Sequence, residues 1–237
     1  MSKLPITDLE FSHFQRFIYE AAGITLPSTK KALVAGRLAK RLEQCQLASY
    51  GAYFKLLASG RAPQEVQTAV DLLTTNETHF FREMKHFKLL FELALAARKR
   101  SQPFRVWSAA SSTGEEVYSV AMVLADCLGE GAWDVLGSDI SARVLARARL
   151  GHYPMERAEH VPPAYLKRFC LKGIEECAGS LLVQRNVQAR VQFQQVNLNG
   201  ELPRLGPFDV IFLRNVMIYF NDETKRQVVH RILSLLK

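Results

Sequence analysis

The chain has 237 residues, of which 48% are hydrophobic and 23% are charged, so a buried core is expected and intrinsic disorder is not. The formal net charge of +8 favours an acidic partner, such as a nucleic acid, an anionic surface or an acidic protein. The four cysteines form no CxxC pair, and neither a signal peptide nor a membrane span is recognisable, so we expect a reduced cytoplasmic protein without a zinc site.

Residues 1–75 are predicted to form a bundle of short helices. Apolar residues recur at helical spacing over 9–21, between an N-cap at Thr7 and a terminating Gly23. A second helix is predicted over 28–45, starting at an N-cap at Ser28. Two shorter helices follow it.

The helix at 28–45 carries a cluster of basic residues opposite its apolar face. This basic cluster consists of Lys30, Lys31, Arg37, Lys40 and Arg41. Most such clusters are solvated helix faces, and the alternative is a docking surface for an acidic partner. The sequence leaves both interpretations open.

From residue 84 onward, strands alternate with helices. The strands are predicted within residues 104–110, 133–140, 191–198 and 208–220. This order predicts a mostly parallel, doubly wound sheet. Residues 152–190 fit the pattern poorly, and we expect an insertion there, with a short helix within 161–173 and a small hairpin over 179–193.

Polar residues follow the first predicted strand, where ligands of open parallel sheets bind. The segment SAASSTGEE has small residues that allow a ligand to approach, and the helix behind it offers free amides. Gly114 is its only glycine, and the paired Glu115 and Glu116 would repel phosphates. A cationic ligand is therefore favoured over a dinucleotide.

Two other strand ends carry polar groups. Asp139 ends the second strand, where an acid accepts hydrogen bonds from ribose hydroxyls, although it could instead cap the next helix. Arg214 and Asn215 follow the last strand, either as ligand contacts or as ordinary loop residues. Together these ends predict an adenosine-containing ligand with a cationic end and no polyphosphate, which are properties of S-adenosylmethionine.

Four segments resemble the CheR-type chemotaxis-receptor glutamate O-methyltransferases, in the family's order and at family-like spacing. They are LLTTNETHFFRE, FRVWSAASSTGEEVYSVAM, GSDISARVLARARLGHY and FDVIFLRNVMIYF. The resemblance covers nearly the whole chain and implies an α/β fold. A Rossmann-like class I methyltransferase domain is expected over 76–237, with an all-α N-terminal domain over 1–75 and a small inserted β-subdomain at 152–190. The family continues past the final SLLK into two further strands, so the resemblance implies either that this is a fragment or that the remainder was removed or belongs to a larger protein.

The resemblance implies an S-adenosylmethionine-dependent enzyme, without a metal, that methylates glutamate side chains on chemoreceptors in chemosensory adaptation. Carried over by motif, the cofactor contacts are Asn76, Thr78, Arg82, Ala109, one of Glu115 and Glu116, Asp139, Asn197, Leu198, Arg214 and Asn215. Asp139 would hold the ribose, and Asn197 and Leu198 would flank the adenine. Arg82 and Tyr219 are the implied catalytic pair beside the transferred methyl group.

The implied partners are chemoreceptors, reached through the basic helix 28–45, and the sequence leaves open whether the β-subdomain binds a receptor tail peptide. Neither nucleic-acid binding nor membrane insertion is expected. One alternative is a non-catalytic module that binds S-adenosylmethionine or S-adenosylhomocysteine, which the intact NETHFFRE and Tyr219 disfavour. The other is a nucleic-acid methyltransferase, which LRNVMIYF disfavours because it replaces the expected Asn/Asp-Pro-Pro-aromatic motif.

Overall fold

The computed structural model describes residues 5–237, which divide into two compact units. The first unit comprises the chain up to Thr75 together with 197–201 and 215–229. The second unit comprises 76–196, 202–214 and 230–237. In the described part of the chain, no helix is both long and apolar enough to cross a membrane.

Four helices make up most of the first unit. They are α1 (Asp8–Ala22), α2 (Lys31–Gln44), α3 (Tyr50–Ala58) and α4 (Pro63–Leu73). A capping box starts α1, because the Thr7 hydroxyl accepts from the Glu10 amide and the Glu10 carboxylate accepts from the Thr7 amide. Gly23 ends α1 with a left-handed φ of 71°. Both ends confirm the sequence prediction.

The start of α2 differs from the prediction. A short 3-10 turn over Ser28–Lys30 precedes it, and α2 itself begins at Lys31 without a side-chain cap. The helix is instead fixed by its neighbours, since Arg41 donates to Glu65 of α4, which also accepts from the Tyr53 hydroxyl of α3 at 2.6 Å. The Arg41 hydrogen bonds hold the pKa of Glu65 below its usual value.

The second unit contains all the strands and most of the remaining helices. The strands are β1 (Phe104–Ala109), β2 (Trp133–Asp139), β3 (His152–Pro154), β4 (Cys170–Lys172), β5 (Ser180–Val183), β6 (Val191–Gln195) and β7 (Val210–Phe212). The helices are α5 (Lys85–Ala97), α6 (Glu115–Leu128), α7 (Ala142–Leu150), α8 (Pro163–Phe169) and α9 (Arg185–Gln188), and the last helix, α10 (Asp222–Leu233), has residues of both units.

The main sheet is parallel throughout, with strand order β6-β2-β1-β7. The chain runs outward from β1 to β2 and β6, and then returns to the other side of β1 as β7. The strand order therefore reverses between β1 and β7, and this switch point is where open α/β sheets bind ligands. Val106 of β1 pairs with Val135 on one side and Val210 on the other, and all three belong to the apolar interior.

The small sheet is antiparallel, with strand order β3-β5-β4. The hairpin predicted over 179–193 is wrong, because β5 pairs with β3 and β4 while β6 joins the main sheet. Between them lies α9, which buries Val187 and is fixed by a 2.7 Å hydrogen bond from the Gln188 side-chain Nε2 to the Val183 carbonyl. The apolar residue that suggested strand alternation thus belongs to a helical turn.

The last strand lies at the start of the segment 208–220. β7 ends at Phe212, so Arg214 and Asn215 follow it as expected, and a 3-10 turn follows over Met217–Tyr219. Asn215 adopts a left-handed φ of 57°, which turns the chain out of the sheet.

Gly137 of β2 permits close packing of the main sheet, and this gives a test of the fold. A Cβ atom there would lie 2.7 Å from both Phe193 of β6 and Val117 of α6. We expect Gly137→Ala to destabilise the second unit by about 1–3 kcal/mol through overpacking. Denaturant unfolding followed by tryptophan fluorescence measures this, since Trp107 and Trp133 are the chain's two tryptophans and both lie in that unit.

Gly36→Ala is the matched control, because a Cβ atom at Gly36 on α2 meets nothing within 4 Å. It should leave the tryptophan transition unchanged. Equal midpoints for the wild type and Gly137→Ala would contradict the packing of Gly137 beneath Phe193 and Val117.

Candidate functional site

The loop after β1 has an unusual backbone. Ala110, Ser112 and Gly114 all have positive φ, at 68°, 50° and 92°. Such strain in non-glycine residues is uncommon and clusters at ligand sites. The Ser111 hydroxyl is buried here and finds no hydrogen-bond partner among the described residues. A buried hydroxyl without a partner is costly, so this loop has an unsatisfied polar atom that a ligand can satisfy.

Asp139 stands at the carboxyl end of β2, beside this loop. Its two oxygens accept from the amides of Ser112 and Ser141, each at 2.9 Å. The N-cap of α7 is Ser141 rather than Asp139, so the helix-cap alternative is wrong. Asp139 is therefore fixed by backbone amides on both sides, directly beside the strained loop.

Glu115 and Glu116 start α6 but have different partners. Glu115 is fully buried, pairs with Arg157, and accepts from the Thr113 hydroxyl at 2.6 Å. Glu116 points to the end of β1, where it accepts from the Ser108 hydroxyl at 2.8 Å and pairs with Arg214 at 3.0 Å. Burial raises the pKa of Glu116, and the nearby Arg214 opposes that rise.

Arg214 follows β7 and connects the two sides of the switch point. Its guanidinium donates to the Glu116 carboxylate of α6 and to the Arg82 backbone carbonyl. It also lies 3.6 Å from the Glu83 carboxylate. The rings of Phe87 and Phe212 lie 5.7 and 5.9 Å from its charged carbon. The predicted ligand residues Glu116 and Arg214 are therefore in direct contact.

Four side chains hold the backbone of residues 76–82. Ser112 donates to the Asn76 carbonyl, Arg157 to the Thr78 carbonyl and Arg214 to the Arg82 carbonyl, while the Phe81 amide donates to Ser119. The side chains of Phe80 and Phe81, which belong to this segment, are buried. The predicted contacts Asn76, Thr78 and Arg82 thus lie on one backbone that is fixed beside the end of β1.

The Arg82 side chain is held much less firmly than its backbone. Its guanidinium makes a 3.4 Å bond to the Glu77 carbonyl, which is at the long end of hydrogen-bond distances. Its two neighbours, Phe81 and Glu83, have left-handed φ angles of 53° and 60°. A strained, fixed backbone with a weakly bound guanidinium suits a residue that reorients toward a ligand.

The remaining predicted residues fall in two places. Ala109 ends β1 and is buried. Asn197, Leu198, Asn215 and Tyr219 belong to the first unit. There the Asn197 side chain donates to the Ala21 carbonyl at 2.7 Å and accepts from the Asn199 amide, and the Tyr219 carbonyl accepts from the Thr25 amide. The Asn197 amide group is thus already used within its own unit.

Only some residues of the basic cluster are exposed at the surface. Lys31 pairs with Asp8 at 2.7 Å, and Arg41 pairs with Glu65. Arg37 donates to the carbonyls of Leu73 and Thr74, both at 3.0 Å. These three fix helices of the first unit, whereas Lys30 and Lys40 are exposed.

Sequence reasoning missed Ser111, Ser119 and Arg157. Ser111 belongs to a quoted motif but carries no distinguishing signal. Ser119 is seven residues from Ser112 inside an apolar helix, and Arg157 lies in the insertion, which had no recognisable pattern. Their roles depend on contacts between residues far apart in the chain.

Comparison with known families matches both parts of this chain. Residues 9–74 match the all-alpha domain of CheR methyltransferases, and residues 76–237 match their SAM-binding domain. The chain belongs to the CheR methyltransferase family. The chemotaxis protein methyltransferase of Escherichia coli K12 is 42% identical over 99% of this chain and 82% of that protein. Chemotaxis protein methyltransferase 2 of Pseudomonas aeruginosa is 42% identical over 96% of this chain and 82% of its own length.

Family membership confirms the predicted fold class and cofactor. The fold is an all-α N-terminal domain followed by a SAM-binding methyltransferase domain built on a parallel sheet, and the cofactor is S-adenosylmethionine. The loop chemistry fits that molecule, since Asp139 can accept from hydroxyls, Ser111 needs a partner, and no glycine-rich phosphate loop is present. The described residues contain no group of three or more His, Cys, Asp or Glu arranged to hold a metal.

His79 makes the stability of the second unit depend on pH. Its ring lies 4.9 Å from that of His160, and burial first, then the positive charges of His160, Arg82 and Arg157, lower the pKa of His79, with Glu115 opposing. The unfolded chain therefore takes up a proton near pH 6.5 that the folded chain resists. The contribution of His79 to stability is fully present above about pH 6.5 and is lost as pH drops toward the lower, folded pKa.

We expect His79→Gln to flatten this fall between about pH 6.5 and 5, as measured by tryptophan-detected unfolding across that range. His13→Gln, in the first unit, is the control and should keep the wild-type slope. The same slope in the wild type and His79→Gln would contradict a depressed pKa at His79.

Proposed function

We propose that this family member is a cytoplasmic protein-glutamate O-methyltransferase that acts on chemoreceptors. The observation that supports this most strongly is the arrangement at the switch point, where the fixed segment carrying Arg82 lies beside the Glu116–Arg214 pair. The names of the relatives, which are chemotaxis protein methyltransferases, support the receptor substrate.

Glutamate methylation requires little acid–base catalysis by the protein. S-adenosylmethionine supplies a methyl group on a sulfonium, and the attacking glutamate carboxylate is already ionised near neutral pH. The residues of this chain must therefore align the carboxylate and remove water from it. A fixed backbone with a positioned guanidinium performs that task without a general base.

Arg82 is the residue that we propose to position the substrate carboxylate. A guanidinium presents a fork of donors that matches a carboxylate. Its weak bond to the Glu77 carbonyl leaves it able to turn toward a substrate. A grip that is too tight would stabilise the ground state and slow the attack, so we assign Arg82 to positioning, with Tyr219 as its partner on the motif resemblance.

Glu116 rather than Glu115 is our choice for the cationic end of the cofactor. Both carboxylates have partners on both oxygens, but Glu115 is fully buried. The Glu116 side chain is 14% exposed, and its pKa stays raised despite Arg214. A second positive charge nearby would favour its ionised form, so Glu116 gains more from a cationic ligand than Glu115 does.

Other roles in the proposal follow the motif resemblance and the local contacts. Asp139, whose carboxylate can accept hydrogen bonds from hydroxyls, holds the ribose. Cofactor contacts are also proposed for Asn76, Thr78, Ala109, Asn197, Leu198, Arg214 and Asn215. Because the Asn197 side chain is bonded to Ala21 and Asn199, contact with the adenine falls to its backbone. The proposed domains are 1–75 and 76–237, with the β-subdomain at 152–190.

Receptor docking is proposed for the exposed part of the basic cluster, Lys30 and Lys40. Arg37 and Arg41 bond within the first unit, so they serve its stability rather than a partner. In the small sheet, β4 is an edge strand that pairs only with β5, and edge strands can accept an extended peptide. A receptor segment is a second proposed contact there.

Methyl transfer from labelled S-adenosylmethionine tests the proposed function. Wild-type protein offered receptor membranes should produce base-labile label, as a glutamyl ester requires. Arg82→Ala should slow this transfer by about a hundredfold with an unchanged fold, because misplacing a reactant costs about that much. Arg98→Ala, an exposed arginine just past α5, is the matched control.

Base-stable label, or label on nucleic acid offered separately, would refute the glutamate assignment. Cofactor binding without any transfer would favour the non-catalytic module. A wild-type rate in Arg82→Ala would remove Arg82 from the mechanism.

Charge reversal of Lys30 and Lys40 tests the docking proposal. The double variant Lys30→Glu/Lys40→Glu should raise the KM for receptor by about threefold to tenfold at low salt, the size expected for two surface charges. The KM for S-adenosylmethionine should not change. Lys55→Glu, an exposed lysine on α3, should behave as wild type, and an unaltered receptor KM in the double variant would argue against docking there.

A further inference from the structure

Arg157 contacts three groups of the candidate site from outside its motifs. It lies in the 3-10 turn Met155–Ala158, directly after β3 of the small sheet. Its Nε donates to Glu115 at 2.8 Å, and its Nη2 donates to Glu115 as well. The same Nη2 lies 3.0 Å from the Thr78 carbonyl and 3.3 Å from the Thr113 hydroxyl.

The base of this arrangement is rigid. Glu115 is fully buried in the first turn of α6, and its other oxygen is held by Thr113. The turn that carries Arg157 is tied down too, because the Met155 amide bonds the Gly179 carbonyl at 2.8 Å and the Tyr153 hydroxyl bonds the Thr113 carbonyl at 2.7 Å. The carboxylate that accepts from the guanidinium and the turn that carries Arg157 are therefore both held in place.

The Thr78 carbonyl lies midway along the held segment. Within residues 77–80, it accepts a hydrogen bond from Arg157 of the inserted region. Ser112 holds the segment two residues before it, at Asn76, and Ser119 holds it three residues after, at Phe81. Without Arg157, the backbone between those two anchors would lose its hydrogen bond at Thr78.

We infer that Arg157 is a positioning residue for methyl transfer, which holds the Thr78 backbone so that the segment 76–82 presents its side chains to S-adenosylmethionine. The small sheet thereby contributes to cofactor binding through one guanidinium. This inference rests on the proposed placement of the cofactor beside residues 76–82.

The conservative variant Arg157→Lys separates positioning from simple charge pairing. A lysine keeps a positive charge for the buried Glu115, but its single nitrogen cannot reproduce the fork that reaches Glu115 and Thr78 together. A role limited to neutralising Glu115 would survive this change, whereas a role in holding Thr78 would not.

The matched control is Arg168→Lys. Arg168 lies on α8 and pairs with Asp126, near the other end of α6, as Arg157 pairs with Glu115 at its beginning. Both arginines join the inserted region to the same helix. Arg168 has no contact with residues 76–82 among the bonds of the described chain.

Titration calorimetry with S-adenosylhomocysteine, together with thermal unfolding, is the test. We expect Arg157→Lys to weaken binding by about tenfold, the size of a lost hydrogen bond from a charged group, with a melting temperature close to wild type. KM for S-adenosylmethionine should rise by a similar factor while kcat changes less. Arg168→Lys should bind as wild type.

Wild-type affinity in Arg157→Lys would overturn the inference, and so would equal weakening in Arg168→Lys, which would indicate general loosening. Because the readout is binding, it is independent of the acceptor. A wild type that binds S-adenosylhomocysteine but does not esterify receptor glutamate would refute the proposed function and leave this inference standing. Failure of the wild type to bind would refute both.

Discussion

The candidate site depends on the immobilised backbone of residues 76–82. Two left-handed residues, Phe81 and Glu83, flank Arg82, and each costs about 1–3 kcal/mol. A chain would not hold them without compensation, which comes from four side-chain hydrogen bonds of about 0.5–1.5 kcal/mol each and from burial of Phe80 and Phe81. The strain lies on both sides of Arg82, the residue that we assign to the reaction.

The parallel sheet explains why this segment meets the other polar groups. The carboxyl ends of β1, β2 and β7 lie at one edge, so the loop after β1, Asp139 and Arg214 converge there. Burial raises the pKa of Glu116, and the positive charge of Arg214 opposes that rise. A partly compensated carboxylate at a strained, polar strand end suits a cationic ligand, in keeping with a SAM-binding family.

The sequence was most informative where chemistry follows local pattern. Asp139 and Glu116 could be located because strand ends and helix starts are readable from periodicity, and Gly23 because it ends a helix. The hairpin at 179–193 failed because one buried valine fits both a turn of helix and a strand. Arg157 and the inward use of Arg37 and Arg41 could not be foreseen, since partners 24 to 79 positions away are set by tertiary packing.

A crystal structure with S-adenosylhomocysteine bound tests the location of the site most directly. We predict the ribose hydroxyls on Asp139, the amino group near Glu116, the thioether beside the ends of β1 and β7, and an unmoved backbone over 76–82. Ligand bound away from Asp139, or a segment 76–82 that leaves Ser112, Ser119 and Arg157 when ligand binds, would contradict the account.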